Sequence, residues 1–314
     1  MKTLYVIGNG FDKYHDIQCS YSEFLSWLRE KHGGLLFDMD KVYGICDGEW
    51  WKDFEHNLGE IDVMGYAQQV AFENPVDLSS DHCDAMWNDA QIEVENQMTQ
   101  LYNQLQGCFE EWVAQLNSPS EGKRVYLDSH DAQFLVFNYT RTLEEMYRIP
   151  EKRILHIHGE AGKRKKLIIG HGKTMEILKR EHPTPSDLYH QGKLDEEAAS
   201  SFDIHDELAW DEAFRQVASM RKPVEIIMNE YVPFFNRIKD VPKICVYGLS
   251  FSDVDIPYME KIASLSPKAH WEISCFSEID RKKVSAFTSK NDIKDFKIVR
   301  LSELEDPNQL RIKF

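Results

Sequence analysis

The chain contains no C-x-x-C pair, no apolar run near the roughly 20 residues that cross a bilayer, and no internal repeat. Its six cysteines, Cys19, Cys46, Cys83, Cys108, Cys245 and Cys275, are scattered, which excludes a disulfide framework and a cysteine-based zinc module. They read as reduced, mostly buried thiols. Positive charge is also scarce: 37 Lys and Arg face 53 Asp and Glu, a formal net charge of −16, so broad electrostatic binding of nucleic acid is not expected. Lys163-Arg164-Lys165-Lys166 is the local exception, and it reads as a solvated turn at a hairpin tip. The opening residues run into a strand pattern rather than a secretion signal, so the expected location is cytoplasmic, with no membrane contact.

What is present is enough for a large core: 314 residues, 42% of them apolar. Leu4 to Ile7 is a β-prone apolar run cut off by Gly8-Asn9-Gly10, after which a helical pattern opens. Strand, tight turn and helix in that order form the geometry of a phosphate-binding loop, because glycine lets the backbone turn sharply and approach an anion. The third glycine of G-x-G-x-x-G is missing, so the loop by itself is a weak signal.

Further along, Ser20-Tyr-Ser-Glu23 has capping-box spacing, and Gly33-Gly34 is expected to close the helix it starts. Asp53 and Glu55, within Trp50-Trp-Lys-Asp-Phe-Glu55, read as a solvated acidic edge. Apolar residues from Val94 to Trp112 recur at steps of three and four, which predicts one long helix over about 84–117. Strands are expected at 134–137, 154–157, 167–169, 243–247, 270–276 and 296–301, with helices at 141–148 and 254–262. These features predict an α/β fold with a Rossmann-like, mostly parallel sheet. One domain is expected over 1–314, with helical insertions at about 35–120 and about 173–240.

Five of the predicted strands end in small or polar residues: Gly8-Asn9-Gly10, Asn138-Tyr139-Thr140, His158-Gly159, Gly170-His171 and Gly248-Leu249-Ser250. In open parallel sheets ligands bind outside the carboxyl ends of the strands, so these tips are expected to share one crevice. Glycines on both sides of His171 are expected to expose it there. Strand alternation puts His156 and His158 on one face, with His156 as the buried supporter of His158. Asp12, His15, Asp253 and Asp255 are secondary candidates for ordering loops or capping helices. Taken singly, Asn138 reads as a helix cap and His158 as a packed sheet histidine.

The ordered series IGNGFD with Tyr14-His15, WWKDFE, FNYTRTLEEMY, HIHG, LIIGHG and YGLSFSDVDIPY resembles the AbiH family of bacteriophage abortive-infection proteins, over residues 4 to about 258. A more distant resemblance is to sirtuin-like domains, including the NAD-hydrolysing ones of bacterial defence systems. It implies a sirtuin-like fold in which Gly8 and Gly10 hold the cofactor's phosphates and Gly248 and Ser250 grip the adenine ribose. Asn138 then orients the other ribose and a water, and His158 acts as base. Asn9, Phe11, Asp12, Tyr139, Thr140, Gly159 and His171 complete the candidate nucleotide-binding set. Asp12 stands where sirtuins carry a small residue, and Thr140 where the defence domains carry Asp. With no four-cysteine zinc site, protein deacetylation is not expected.

The resemblance thus implies an antiviral protein that binds NAD as substrate or ligand and hydrolyses it, an NADase, with no metal. Cleaving nicotinamide from ribose builds oxocarbenium character and needs a ribose-holding group, a water and a base titrating near neutrality, parts that Asn138 and His158 supply. One alternative is a non-catalytic nucleotide sensor that acts through a phage or host protein. Another is a metal-dependent nuclease using Asp12, Asp53, Glu55 and the histidines. A homo-oligomer is compatible with each.

Overall fold

A computed structural model describes residues 1–44, 47–77, 79, 86–116, 122–163, 165–195 and 204–305. Its frame is a six-stranded sheet: β1 (Thr3–Ile7), β2 (Ala132–Val136), β3 (Ile154–His156), β4 (Lys243–Tyr247), β5 (His270–Ser274) and β6 (Phe296–Val299). The spatial order is β3-β2-β1-β4-β5-β6 and every pairing is parallel, so the fold is Rossmann-like α/β. β1 is central because Leu4, Tyr5, Val6 and Ile7 are apolar on both sides, as a strand covered on both faces requires. Its last residue, Ile7, lies opposite Val136 of β2 and Tyr247 of β4, which brings the three strand ends level.

The chain divides into two compact units, the first made of Met1–Phe24, Glu110–Ile168 and Pro223–Phe314. One face of its sheet packs Leu4, Val6, Leu135, Ile244 and Val246 with Ile227, Phe235 and Tyr258 from helices. The other packs Tyr5, Ile7, Phe134 and Tyr247 with Phe11 and Leu143. Tyr5 stacks on Phe134 at 5.1 Å between ring centroids, an arrangement worth about 1 kcal/mol beyond the area it buries.

The second unit, Leu25–Phe109 and Ile169–Lys222, is built of helices among its described residues. The predicted long helix spans Asp89–Gln115; Val94, Met98, Leu101, Leu105 and Phe109 on its apolar stripe are all buried. The ends expected for it at Asp84 and Asn117 lie outside the described residues. The capping box forms as expected, with Ser20 N–H donating to Glu23 at 2.6 Å and Glu23 N–H to Ser20 Oγ at 3.3 Å. Gly33, by contrast, opens a new helix, Gly33–Tyr43, immediately after Tyr21–Lys31 ends. No strand forms at 167–169, so the hairpin expected around Lys163 is absent. In that segment Ile168 N–H donates to His158 O, just beyond β3, at 2.8 Å.

Glu55 is not a solvated residue. Its carboxylate meets Lys222 Nζ at 2.7 Å, and the Lys222 side chain is only 2% exposed. Asp53 is exposed, as expected. The four described cysteines, Cys19, Cys108, Cys245 and Cys275, are buried free thiols, while Cys46 and Cys83 lie outside the described residues. No helix among the described residues is long and apolar enough to cross a membrane.

Removing one partner of a buried ion pair strands the other charge away from water, which typically costs about 3–5 kcal/mol. Glu55→Gln is therefore expected to lower stability by about 3 kcal/mol in urea unfolding, and Glu55→Gln combined with Lys222→Met by less than the single change.

Candidate functional site

The sheet order reverses between β1 and β4, so a ligand crevice in such a fold opens at their carboxyl ends. There the turns after the two strands touch backbone to backbone. Gly10 N–H donates to Gly248 O at 2.8 Å, and Gly8 N–H donates to Tyr247 O at 2.9 Å. A Cβ on Gly8 would sit 2.6 Å from Gly248 O, and one on Gly248 would sit 2.0 Å from Phe11 N. Gly248 also has φ +72°, a conformation that costs any other residue steric strain.

The contact engages amides that a phosphate-binding loop would leave free, because Phe11 N–H is taken as well, by Gly8 O at 2.9 Å. The Asn9 side chain turns to Cys19, donating to its carbonyl at 3.1 Å and accepting from its thiol at 2.7 Å. Phe11 is fully buried, its ring 4.4 Å from that of His15. His15 bonds Phe11 O and the Tyr147 hydroxyl, each at 2.6 Å, and burial holds its pKa below the ordinary value. The segment therefore anchors itself in the core through Phe11 and His15.

Asp12, 1% exposed in the first helical turn after Gly8, accepts hydrogen bonds from the hydroxyls of Thr140 and Thr142, the latter at 2.7 Å. Both threonines follow β2, so this carboxylate ties the β1 turn to the β2 turn. Burial pushes its pKa up from 3.8 to about 6, against the opposing pull of Thr140, Thr142 and Asn138 and the charge of His156. Asn138, 4% exposed, adds a second tie by donating Nδ2–H to Gly8 O at 3.1 Å. Its Oδ1 is buried and has no hydrogen-bond partner among the described groups.

At the tip of β3 the two histidines separate. His156 Nδ1 faces Asn138 O at 3.2 Å and Nε2 faces Glu144 at 2.9 Å. Burial works against its charged form, but the Glu144 carboxylate, Asn138 O and the charge of Glu160 together outweigh this and raise the pKa. His158 is 2% exposed and packs its ring edge-on to Phe137 at 5.4 Å and Tyr258 at 5.6 Å, both members of the opposite core. The expected pairing of His156 with His158 fails because β3 ends at His156 and a turn follows, which breaks the alternation. Gly159 N–H donates to His156 O at 3.3 Å, and Tyr139 OH to Ile168 O at 2.8 Å.

The structure thus brings together Gly8 to Asp12, Asn138, Thr140 and Gly248, with His156 and His158 at the neighbouring tip. Ser250 is exposed beyond the turn. His171 belongs to the second unit and is fully buried rather than exposed by its glycines: its Nε2 faces Val217 O at 2.8 Å and its Nδ1 accepts from Lys173 N–H at 3.0 Å. Asp255 accepts from Ser252 at 2.9 Å, and Asp253 is exposed. Of the carboxylates in the nuclease alternative, Glu55 is paired with Lys222 and Asp12 accepts from two threonines. Thr142, Glu144 and Tyr258 escaped the sequence reading, although all three lie within the motifs NYTRTLEE and VDIPY.

The family model described as "Bacteriophage abortive infection AbiH" matches residues 4–275, which include all of these strand tips. No curated protein matches the chain.

Because its pKa is raised on folding, Asp12 binds its proton more tightly in the folded chain than in the unfolded one. Its favourable contribution is full below pH 3.8 and is lost as the pH rises through about 6. Asp12→Asn, measured by urea unfolding, is expected to gain about 2 kcal/mol on the wild type between pH 4 and pH 7. Gly248→Ala is expected to lose about 2–4 kcal/mol in the same measurement, because strain and overpacking coincide.

Proposed function

The chain belongs to the AbiH family of bacteriophage abortive-infection proteins, and from that premise we propose that it serves phage defence by binding a nucleotide such as NAD at the tips of β1, β2 and β4 and hydrolysing it. The observation that carries this reading is Asn138. Its amide is buried at the switch-point edge, its nitrogen is fixed on Gly8 O, and its Oδ1 is left without a partner among the described residues. An unpaired buried acceptor costs about 1–3 kcal/mol, which a ribose hydroxyl or a water offsets by donating to it. The sirtuin-like order of motifs, Gly-x-Gly, Asn-Tyr-Thr, His-x-His-Gly and Gly-x-Ser, supports NAD as the nucleotide.

In hydrolysis, water adds to the ribose carbon as the bond to nicotinamide breaks. The bonding electrons pass to the pyridinium nitrogen, releasing neutral nicotinamide and ADP-ribose. His158 takes the water's proton in this scheme, and Asn138 holds the ribose and the water. With three turn amides engaged by the backbone, recognition of the phosphates falls to other donors at the same edge.

A second reading has its own support: His158 is 2% exposed and packed by two aromatic rings, an arrangement that suits a crevice binding a nucleotide without turnover. In that case the protein is a sensor that passes the signal to a phage or host protein.

Incubation of the purified chain with NAD, followed by chromatography, separates the two. Hydrolysis predicts nicotinamide release that falls about 100-fold or more in Asn138→Ala and His158→Ala while circular dichroism is unchanged. Saturable calorimetric binding without nicotinamide release selects the sensor, and absence of both binding and release refutes the two readings together.

A further inference from the structure

We propose that Glu144, His156 and Glu160 form a site for a divalent first-row cation of the Mn2+ or Zn2+ class at the carboxyl end of β3. Each side chain offers one ligand atom, and these atoms all lie within 4.8 Å of one another. A cation bonded at about 2.0–2.2 Å holds its ligands up to about 4.4 Å apart, so a small inward movement of the side chains completes the set. One imidazole with two carboxylates suits Mn2+ and Zn2+ better than Ca2+, which favours oxygen ligands alone.

Two further features point to a cation. His156 Nδ1 lies 3.2 Å from Asn138 O, so an N–H there donates to the carbonyl, and Nε2, 2.9 Å from Glu144, is the ring nitrogen left to ligate once a cation displaces its proton. This is the supporting arrangement usual for a metal-bound histidine, whose second ring nitrogen donates to a backbone or carboxylate oxygen. Independently, the Glu144 side chain is 8% exposed, and its Oε2 is buried without a hydrogen-bond partner among the described residues. A carboxylate oxygen in that state is costly, and a cation bound beside it would satisfy it.

Two cations of the chain stand nearby. Arg141 Nε lies 3.4 Å and Lys163 Nζ 3.8 Å from Glu160 Oε1. Both also reach Glu151, at 2.9 Å and 3.4 Å, so each keeps a counter-ion when Glu160 turns to a metal. The site does not depend on the nucleotide reading.

The test uses the full chain, stripped of metal with a chelator and titrated with MnCl2 or ZnCl2 by calorimetry, with melting temperature as a second readout. The expected result is saturable binding of one cation per chain that raises the melting temperature and weakens at least about 10-fold in Glu144→Gln and in Glu160→Gln. Glu160 is 15% exposed, so its variant is expected to fold, with circular dichroism as the check. The proposal is overturned if neither cation binds saturably up to about 1 mM, if both folded variants bind like the wild type, or if Ca2+ alone binds. An ordinary buried Glu144–His156 ion pair gives the first of these outcomes. Nicotinamide release is not a readout, so failure here leaves the nucleotide reading to its own experiment.

Discussion

Everything at the candidate site depends on how closely the turns after β1 and β4 approach. The strands are neighbours in a parallel sheet, so their turns leave the same edge side by side. Only glycine at positions 8 and 248 lets the two backbones meet without a clash. The hydrogen bond from Gly10 to Gly248 fixes the start of the following helix. From there Phe11 and His15 enter the core, and Asp12 is aimed at the β2 turn. A side chain in this contact would displace the helix, and with it the residues that hold Asn138 in place.

One consequence is chemical. Backbone amides that often bind anions at such a turn are engaged by carbonyls, so the polar groups left at this edge are side chains, Asn138 foremost among them. Asp12 fits the same account. A carboxylate beside a diphosphate would repel it, but this one is turned to two threonine hydroxyls and joins two strand tips. Its raised pKa reflects the cost of placing a charge where water is excluded. The chain handles buried charge differently elsewhere, pairing Lys222 with Glu55 and His156 with Glu144.

Much of the fold was legible along the chain. β4 has the bounds read for it, and the other five strands fall within the runs expected for them or within a few residues; β1 and β4 were the plainest, because strands buried on both faces of a parallel sheet are continuously apolar. The long helix was legible from its stripe of Val94, Met98, Leu101 and Leu105, and the Ser20 cap from its spacing. The exception, 167–169, is apolar but lacks a strand partner, and an apolar run becomes a strand only where another strand offers it hydrogen bonds.

Sequence by itself determined the α/β alternation, the family and the set of strand ends where polar residues gather, since these depend on residue type and order. Only the tertiary structure decided what those residues face: Asn9 turned to Cys19, Phe11 in the core, His156 parted from His158, His171 buried in the other unit, and Glu55 on Lys222. The reason is physical. A residue's type limits the bonds it can make, whereas its partner is set by the backbone that brings distant segments within about 3 Å of it. Thr142 meets Asp12 across 130 positions of chain, and no local pattern records that distance.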